Sequence, residues 1–303
     1  MRKKALFIAL FTLLASTSFG QEVYDTLYIN MTDGVSKINI EEIDSITFAP
    51  AAATVAPENG TVVTKNKAAI CWIDDDFLVK DNSGNMRPIY ETVHDWCIEK
   101  NIRFDFAYIN GGISMSIAQT WEEEGFNFLM HPFHDGWYDY GTSNKHDIVA
   151  VRKSFIKCMR VFQQYFASAK RRILVWPGSS NSFPENVEFV SQYVECAITA
   201  TTIGSNPGTQ NDRYQLKRLS LILSNSMTKT QLKNLIKQYV DNGDWVILYT
   251  HLYNHQNTDI VDETTNSVAN LMEIVEYANS LCPLRSTESI WDERKLLYDG
   301  ITK

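Results

Sequence analysis

The sequence predicts an α/β fold built on a mostly parallel sheet or barrel, with a small β unit ahead of it. Beyond residue 60, short apolar runs of strand character alternate with longer segments of helical periodicity, and βα alternation of this kind calls for parallel strands joined by crossover helices. Hydrophobic residues make up 44% of the 303 residues, enough for a sizeable core. A Pro/Ala-rich stretch, "APAAATVAPENG", separates this region from the residues before it.

The elements follow in order. Residues 1–20 read as a secretory signal: Arg2, Lys3 and Lys4 form a basic start, Ala5 to Ala15 is apolar, and Ser18 and Gly20 suit a small-residue cleavage site. The expectation is an exported protein, periplasmic, secreted or surface-associated, with Gln21 in place of a lipid-bearing Cys and no later apolar run of the roughly 18 residues a span requires. Residues 21–50 form a small β module, in which "TLYINM" and "VSKINI" alternate around Thr32-Asp33-Gly34 and "SITF" is a third strand. Residues 51–60 are the linker, and residues 61–303 the barrel domain. There "AAICWI", "RFDFAYI", "FNFLM", "RILVW", "CAITATT" and "WVILYTH" read as strands. Between and after them, segments such as "IYETVHDWCIEK" and "TKTQLKNLIKQYVDNG" read as helices; in the latter Leu232, Leu235, Ile236, Tyr239 and Val240 share one face, and Asn242-Gly243 is the stop. "TATTIGSNPGTQNDRYQLKR" reads as a strand end followed by a long loop.

Composition limits the function. The formal net charge of −8, more negative still once the signal is removed, disfavours nucleic acid and anionic membranes as partners. Five cysteines without a CxxC pair favour buried thiols over a disulfide framework or a metal cluster.

The reactive residue types collect at strand ends, where parallel α/β folds bind ligands. Asp74, Asp75 and Asp76 end "AAICWI"; His131 and His134 stand in "MHPFHDG"; Trp176, Pro177 and Gly178 end "RILVW"; His251 ends "WVILYTH". Three adjacent carboxylates raise one another's pKa, and a divalent cation would relieve the conflict. One Asp with two imidazoles suits zinc or a similar metal and leaves a position open. A second Asp would take a proton from water, and His251 would protonate a leaving group.

These stretches resemble the polysaccharide deacetylase family, the NodB-homology enzymes of the carbohydrate esterase family 4 type. "WIDDDF" is similar to that family's Thr-Phe-Asp-Asp-Gly strand end, "HPFHD" to its His-containing metal motif, "VWPG" to its Pro-Gly motif and "VILYTH" to its last strand, in the family's order from about Ala68 to Ser280. The resemblance implies a distorted (β/α) barrel and a divalent metal, zinc foremost with cobalt or nickel as alternatives. It implies Asp74 as general base, Asp75, His131 and His134 as metal ligands, and His251 as general acid. A register one residue later makes Asp75 the base and Asp76 the ligand, and Asp135 is the alternative to His134. Trp176, Pro177, Gly178 and Tyr253 would contact the sugar, as would Trp137, Tyr138 and Tyr140. The chain departs from the family pattern where Pro177 and Gly178 are adjacent, reshaping the oxyanion loop, and where the base-orienting Arg is missing, Arg171 and Arg172 lying before the strand.

The implied function is an exported metal-dependent hydrolase that removes acetyl groups from an N- or O-acetylated polysaccharide or oligosaccharide. The alternatives are a catalytically impaired relative acting as a glycan-binding or surface-assembly module, and another metal-dependent hydrolase on the same barrel.

Overall fold

The computed structural model describes residues 26–31, 34–39, 67–109, 115–132, 146–166, 173–178, 180–207 and 212–298. The chain divides into two compact units, residues 1–58 and 59–303. In the first, β1 (Thr26–Met31) and β2 (Gly34–Asn39) pair antiparallel, from Thr26 opposite Asn39 to Met31 opposite Gly34. The expected third strand at 45–48, the signal and the linker lie outside the described residues.

The second unit is a closed barrel of seven strands: β3 (Ala69–Asp75), β4 (Asp105–Ile109), β5 (Asn127–His131), β6 (Ile173–Val175), β7 (Cys196–Ile203), β8 (Leu216–Ser220) and β9 (Trp245–Thr250). Every neighbouring pair is parallel, and β9 closes on β3 with Ala69 opposite Trp245 and Asp74 opposite Thr250. The helices are α1 (Pro88–Lys100), α2 (Met115–Glu123), α3 (Ile148–Tyr165), α4 (Pro184–Val190), α5 (Lys229–Asp241), α6 (Val268–Leu281) and α7 (Thr287–Tyr298). Their ends follow local chemistry. Pro88 opens α1 and Asn101 closes it in the left-handed region, Asp147 accepts the amides of Val149 and Ala150 at the start of α3, and Thr228 and Gln231 form a capping box on α5.

Strand alternation sorts the core into two sets. Ile70 and Trp72 of β3 face outward and pack with Tyr90 and Val93 of α1 and with the other covering helices. Ala69, Cys71 and Ile73 face inward and meet Trp245 and Ile247 of β9 together with Ile290, Trp291 and Tyr298 of α7. Helix α7 therefore plugs one end of the barrel: Asp105, at the start of β4, accepts the Thr287 amide at 2.6 Å, so the plug sits at the end opposite the strand C-termini. Two elements differ from the sequence expectation. Residues expected in a long loop form β8, and α7 was not foreseen as a plug. All five cysteines are free thiols, four of them buried.

Candidate active site

Alternation along β3 sends its terminal carboxylates in different directions. Asp74 shares the outward face of Trp72, and Asp75 the inward face of Ile73. The chain then turns through two residues in the left-handed region, Asp76 at φ 81° and Phe77 at φ 40°, a conformation that costs about 1–3 kcal/mol for each non-glycine residue. Burial of Phe77 among Phe106, Phe128, Trp121 and Tyr108, with ring centroids 4.6 to 5.8 Å away, offsets that cost.

Asp74 is fully buried against the helix layer. Its Oδ1 accepts the Leu252 amide at 2.7 Å and the Thr250 hydroxyl at 3.5 Å, and its Oδ2 accepts the Tyr90 phenol at 3.0 Å. Burial holds its pKa well above the ordinary carboxylate range despite those donors.

Asp75 points into the barrel mouth. The Arg218 guanidinium, on β8, donates to its Oδ2 at 2.5 Å, donates to the Ala200 carbonyl at 3.2 Å, and lies 3.8 Å from the Tyr249 ring centroid. Burial alone would raise the Asp75 pKa; Arg218, then His131 and His251, outweigh it and bring the carboxyl below its usual value. Asp75 Oδ1 is buried without a hydrogen-bond partner.

His131 ends β5. Its Nδ1–H donates to the Val175 carbonyl at 2.9 Å, which fixes the ring and directs Nε2 toward Asp76 Oδ1 at 3.2 Å and Asp75 Oδ1 at 3.7 Å. Burial lowers its pKa, but the two carboxylates outweigh burial and the net shift is upward. His251 ends β9 and turns Nε2 to Asp75 Oδ2 at 3.6 Å and Asp76 Oδ2 at 3.7 Å, with its side chain 23% exposed. Tyr253 donates to Asp76 Oδ2 at 3.2 Å.

Donor atoms of Asp75, Asp76 and His251 lie within 4.8 Å of one another, and His131 Nε2 faces the same carboxylates. The buried Asp75 oxygen without a hydrogen-bond partner and the carboxylate–imidazole donor set fit a divalent cation, and the His131–carbonyl bond is the outer support that metal-binding imidazoles use.

Of the residues expected from sequence, Asp75, His131, His251 and Tyr253 meet at the rim. Asp74, the expected base, lies behind it with both oxygens engaged by the fold. Trp176, expected to stack on sugar, is fully buried in the helix-facing layer, and its indole donates to the Tyr214 carbonyl. Pro177 is buried, and Gly178 takes the positive φ of 51° that the turn after β6 requires. His134, Asp135, Trp137, Tyr138, Tyr140, Arg171 and Arg172 lie outside the described residues. Sequence reasoning missed Arg218, a charge inside a stretch read as loop, and Tyr90.

The barrel is similar to a probable polysaccharide deacetylase from Pseudomonas aeruginosa PAO1, at 11% identity and a TM-score of 0.48 over 76% of this chain and 92% of that one. A second is the CE4 domain of a multidomain xylanase from the hindgut metagenome of Trinervitermes trinervoides, at 14% identity and 0.46 over 75% and 91% of the two chains. A third is a CE4 family pseudoenzyme from Bacillus anthracis, at 9% identity and 0.46 over 76% and 67%. Other solved structures it is similar to include a peptidoglycan N-acetylglucosamine deacetylase and a family 4 carbohydrate esterase from Bacillus anthracis. No protein-family model and no curated protein matches the sequence.

Proposed function

We propose that this protein is a metal-dependent hydrolase that removes acetyl groups from a carbohydrate, with Asp75 as general base and His251 as general acid. One observation carries the proposal: an arginine-paired carboxylate, a second carboxylate facing a buried imidazole, and a partly exposed histidine converge at the C-terminal mouth of one barrel. Asp76 and His131 would hold the cation, with His134 as the expected third ligand, and the buried Asp75 Oδ1 faces the same space. The cation, zinc foremost and cobalt or nickel as alternatives, supplies Lewis acidity when bound.

The remaining steps belong to the chain. Asp75 takes a proton from a water that attacks the acetyl carbonyl carbon, and Arg218 keeps that carboxylate oriented. As the bond from that carbon to the sugar nitrogen or oxygen breaks, His251 passes a proton from Nε2 to the departing atom, leaving acetate and a free amine or hydroxyl. The partial exposure of His251 supports this role, since a substrate could reach it from solvent. Tyr253 donates to Asp76 from the rim, and that position supports it as an aromatic that would meet a sugar ring.

The reading includes export, on the basic and apolar pattern of residues 1–20. Among the described residues no helix is long and apolar enough to cross a membrane. The adjacency of Pro177 and Gly178 favours a second reading, a barrel that binds glycans without turnover. The test is metal content by elemental analysis together with acetate release from N- and O-acetylated oligosaccharides. About one divalent ion per chain, lost in both His131→Ala and Asp76→Ala, with acetate release abolished by His251→Ala, supports the enzyme. Metal without acetate release supports the second reading, and no metal after loading with zinc, cobalt or nickel overturns both the cofactor and the mechanism.

A further inference from the structure

Asp74 stands outside the proton transfers, yet its contacts bracket the residue proposed to deliver the proton. Its Oδ1 accepts from Leu252 N and from Thr250 Oγ1, the neighbours of His251 on either side in the chain. Its Oδ2 accepts from Tyr90 of α1, and the same phenol oxygen accepts the Leu78 amide at 3.0 Å, just past the left-handed turn. The Thr250 hydroxyl also accepts the Trp72 indole N–H at 3.4 Å. One buried carboxyl thus joins the end of β3, helix α1 and both sides of the His251 backbone.

The placement has a physical reason. The chain leaves β9 at His251, which has extended dihedrals of φ −115° and ψ 98°, and enters a short 3₁₀ turn at Leu252–Asn254. The Leu252 amide opens that turn on a fully buried residue and has no sheet partner beyond Thr250. A buried amide without an acceptor is costly, and Asp74 supplies the acceptor at 2.7 Å. The His251 main chain is therefore held at both neighbours by a group that does not touch the reacting atoms.

We infer that Asp74 is a positioning residue, which sets His251 over the site by gripping Thr250 and Leu252. The inference rests on the proposed role of His251 as proton donor. The test compares Asp74→Asn, which keeps an oxygen acceptor for Leu252, with Asp74→Leu, which has none. D74N should keep kcat for acetate release within about tenfold, whereas D74L should lose about 100-fold in kcat with KM and metal content unchanged, the penalty of a catalytic group displaced by about 1 Å. If Asp74 were the base, D74N would fall by about 10³, as far as D74L, and the inference would be overturned.

A second readout needs no turnover. Hydrogen exchange of the Leu252 amide, followed by NMR, should be slow in wild type and D74N and faster in D74L, while the Leu248 amide within β9 stays protected. Equal Leu252 protection in D74L overturns the inference even if no substrate is ever found. If the wild type releases no acetate from any acetylated glycan, the proposed function fails and the amide still decides the role of Asp74. Should D74L not fold, Asp74→Ser, one bond too short to reach Leu252, is read in the same way.

Discussion

Replacing Arg218 with methionine tests whether the carboxylates of the barrel mouth depend on a built-in cation. Arg218 and Asp75 are 4% and 3% exposed, and their contacting atoms are 2.5 Å apart. Opposite charges about 4 Å apart attract by about 4 kcal/mol at an effective dielectric near 20, and breaking a buried pair by removing one partner costs about 3–5 kcal/mol. Methionine retains much of the stem packing but leaves Asp75 to its two histidines. Urea unfolding of chelator-treated protein should therefore show R218M about 4 kcal/mol less stable than wild type, a large part of the 5–15 kcal/mol typical of a domain. Asp75→Asn alone should also destabilise, because the guanidinium then lacks its anion. The double variant should be more stable than the sum of the two losses predicts, by about 2–3 kcal/mol, as for residues in direct contact. A divalent cation should then recover more stability in R218M than in wild type, since it meets less compensated charge. An R218M loss under about 1 kcal/mol, or strict additivity with D75N, would refute the account.

Other expectations lie away from the mouth. Burial raises the Asp105 pKa to about 7 while its Oδ2 accepts the Thr287 amide. The folded value is above the unfolded one, so the group's contribution is fully present below about pH 3.9 and is lost as pH rises through about 7. Asp105→Asn keeps the acceptor without the charge, so its unfolding free energy from urea titration should exceed that of wild type at pH 8, by up to about 4 kcal/mol, and converge with it near pH 4. Phe77→Ala should cost about 3–5 kcal/mol in thermal or urea unfolding, by emptying the aromatic layer that holds the left-handed turn. Thr228→Ala should cost about 1 kcal/mol by removing the capping box of α5.

Much of the barrel was legible because its strands are short apolar runs and its helices carry ordinary periodicity. The hidden part has a common cause. Strand β8 has Leu216 and Arg218 facing inward, and a charge at an inward position breaks the pattern by which a strand is recognised. Its compensation comes from Asp75, 143 residues away in sequence, where no local window reaches. The plug α7 is similar: Ile290, Trp291 and Tyr298 fit the barrel end only once seven strands have closed. Trp176 was misplaced for a different reason. Its location at a strand end suggested the rim, but Leu174 and Trp176 share the outward face while Ile173 and Val175 face inward. The same alternation separates Asp74 from Asp75, so the face of the strand decides which residues reach the site, and the strand end alone does not.

That separation explains why three consecutive carboxylates are tolerated at the end of a buried strand. They do not all share one environment. Asp74 turns outward and meets neutral donors, and burial there favours its uncharged form. Asp75 turns inward and meets a guanidinium, which favours its charged form. Asp76 swings onto a left-handed turn and meets His131, His251 and the Tyr253 hydroxyl at the edge of solvent. Neighbours in sequence thus become groups with opposite protonation preferences, one in the helix-facing layer and one at the barrel mouth. A single cluster of three anions would need one strong cation to exist at all. Here neutral donors surround Asp74, Arg218 faces Asp75, and Asp76, held by His131, His251 and Tyr253, stands with the second oxygen of Asp75 toward the mouth where a metal and a substrate would arrive.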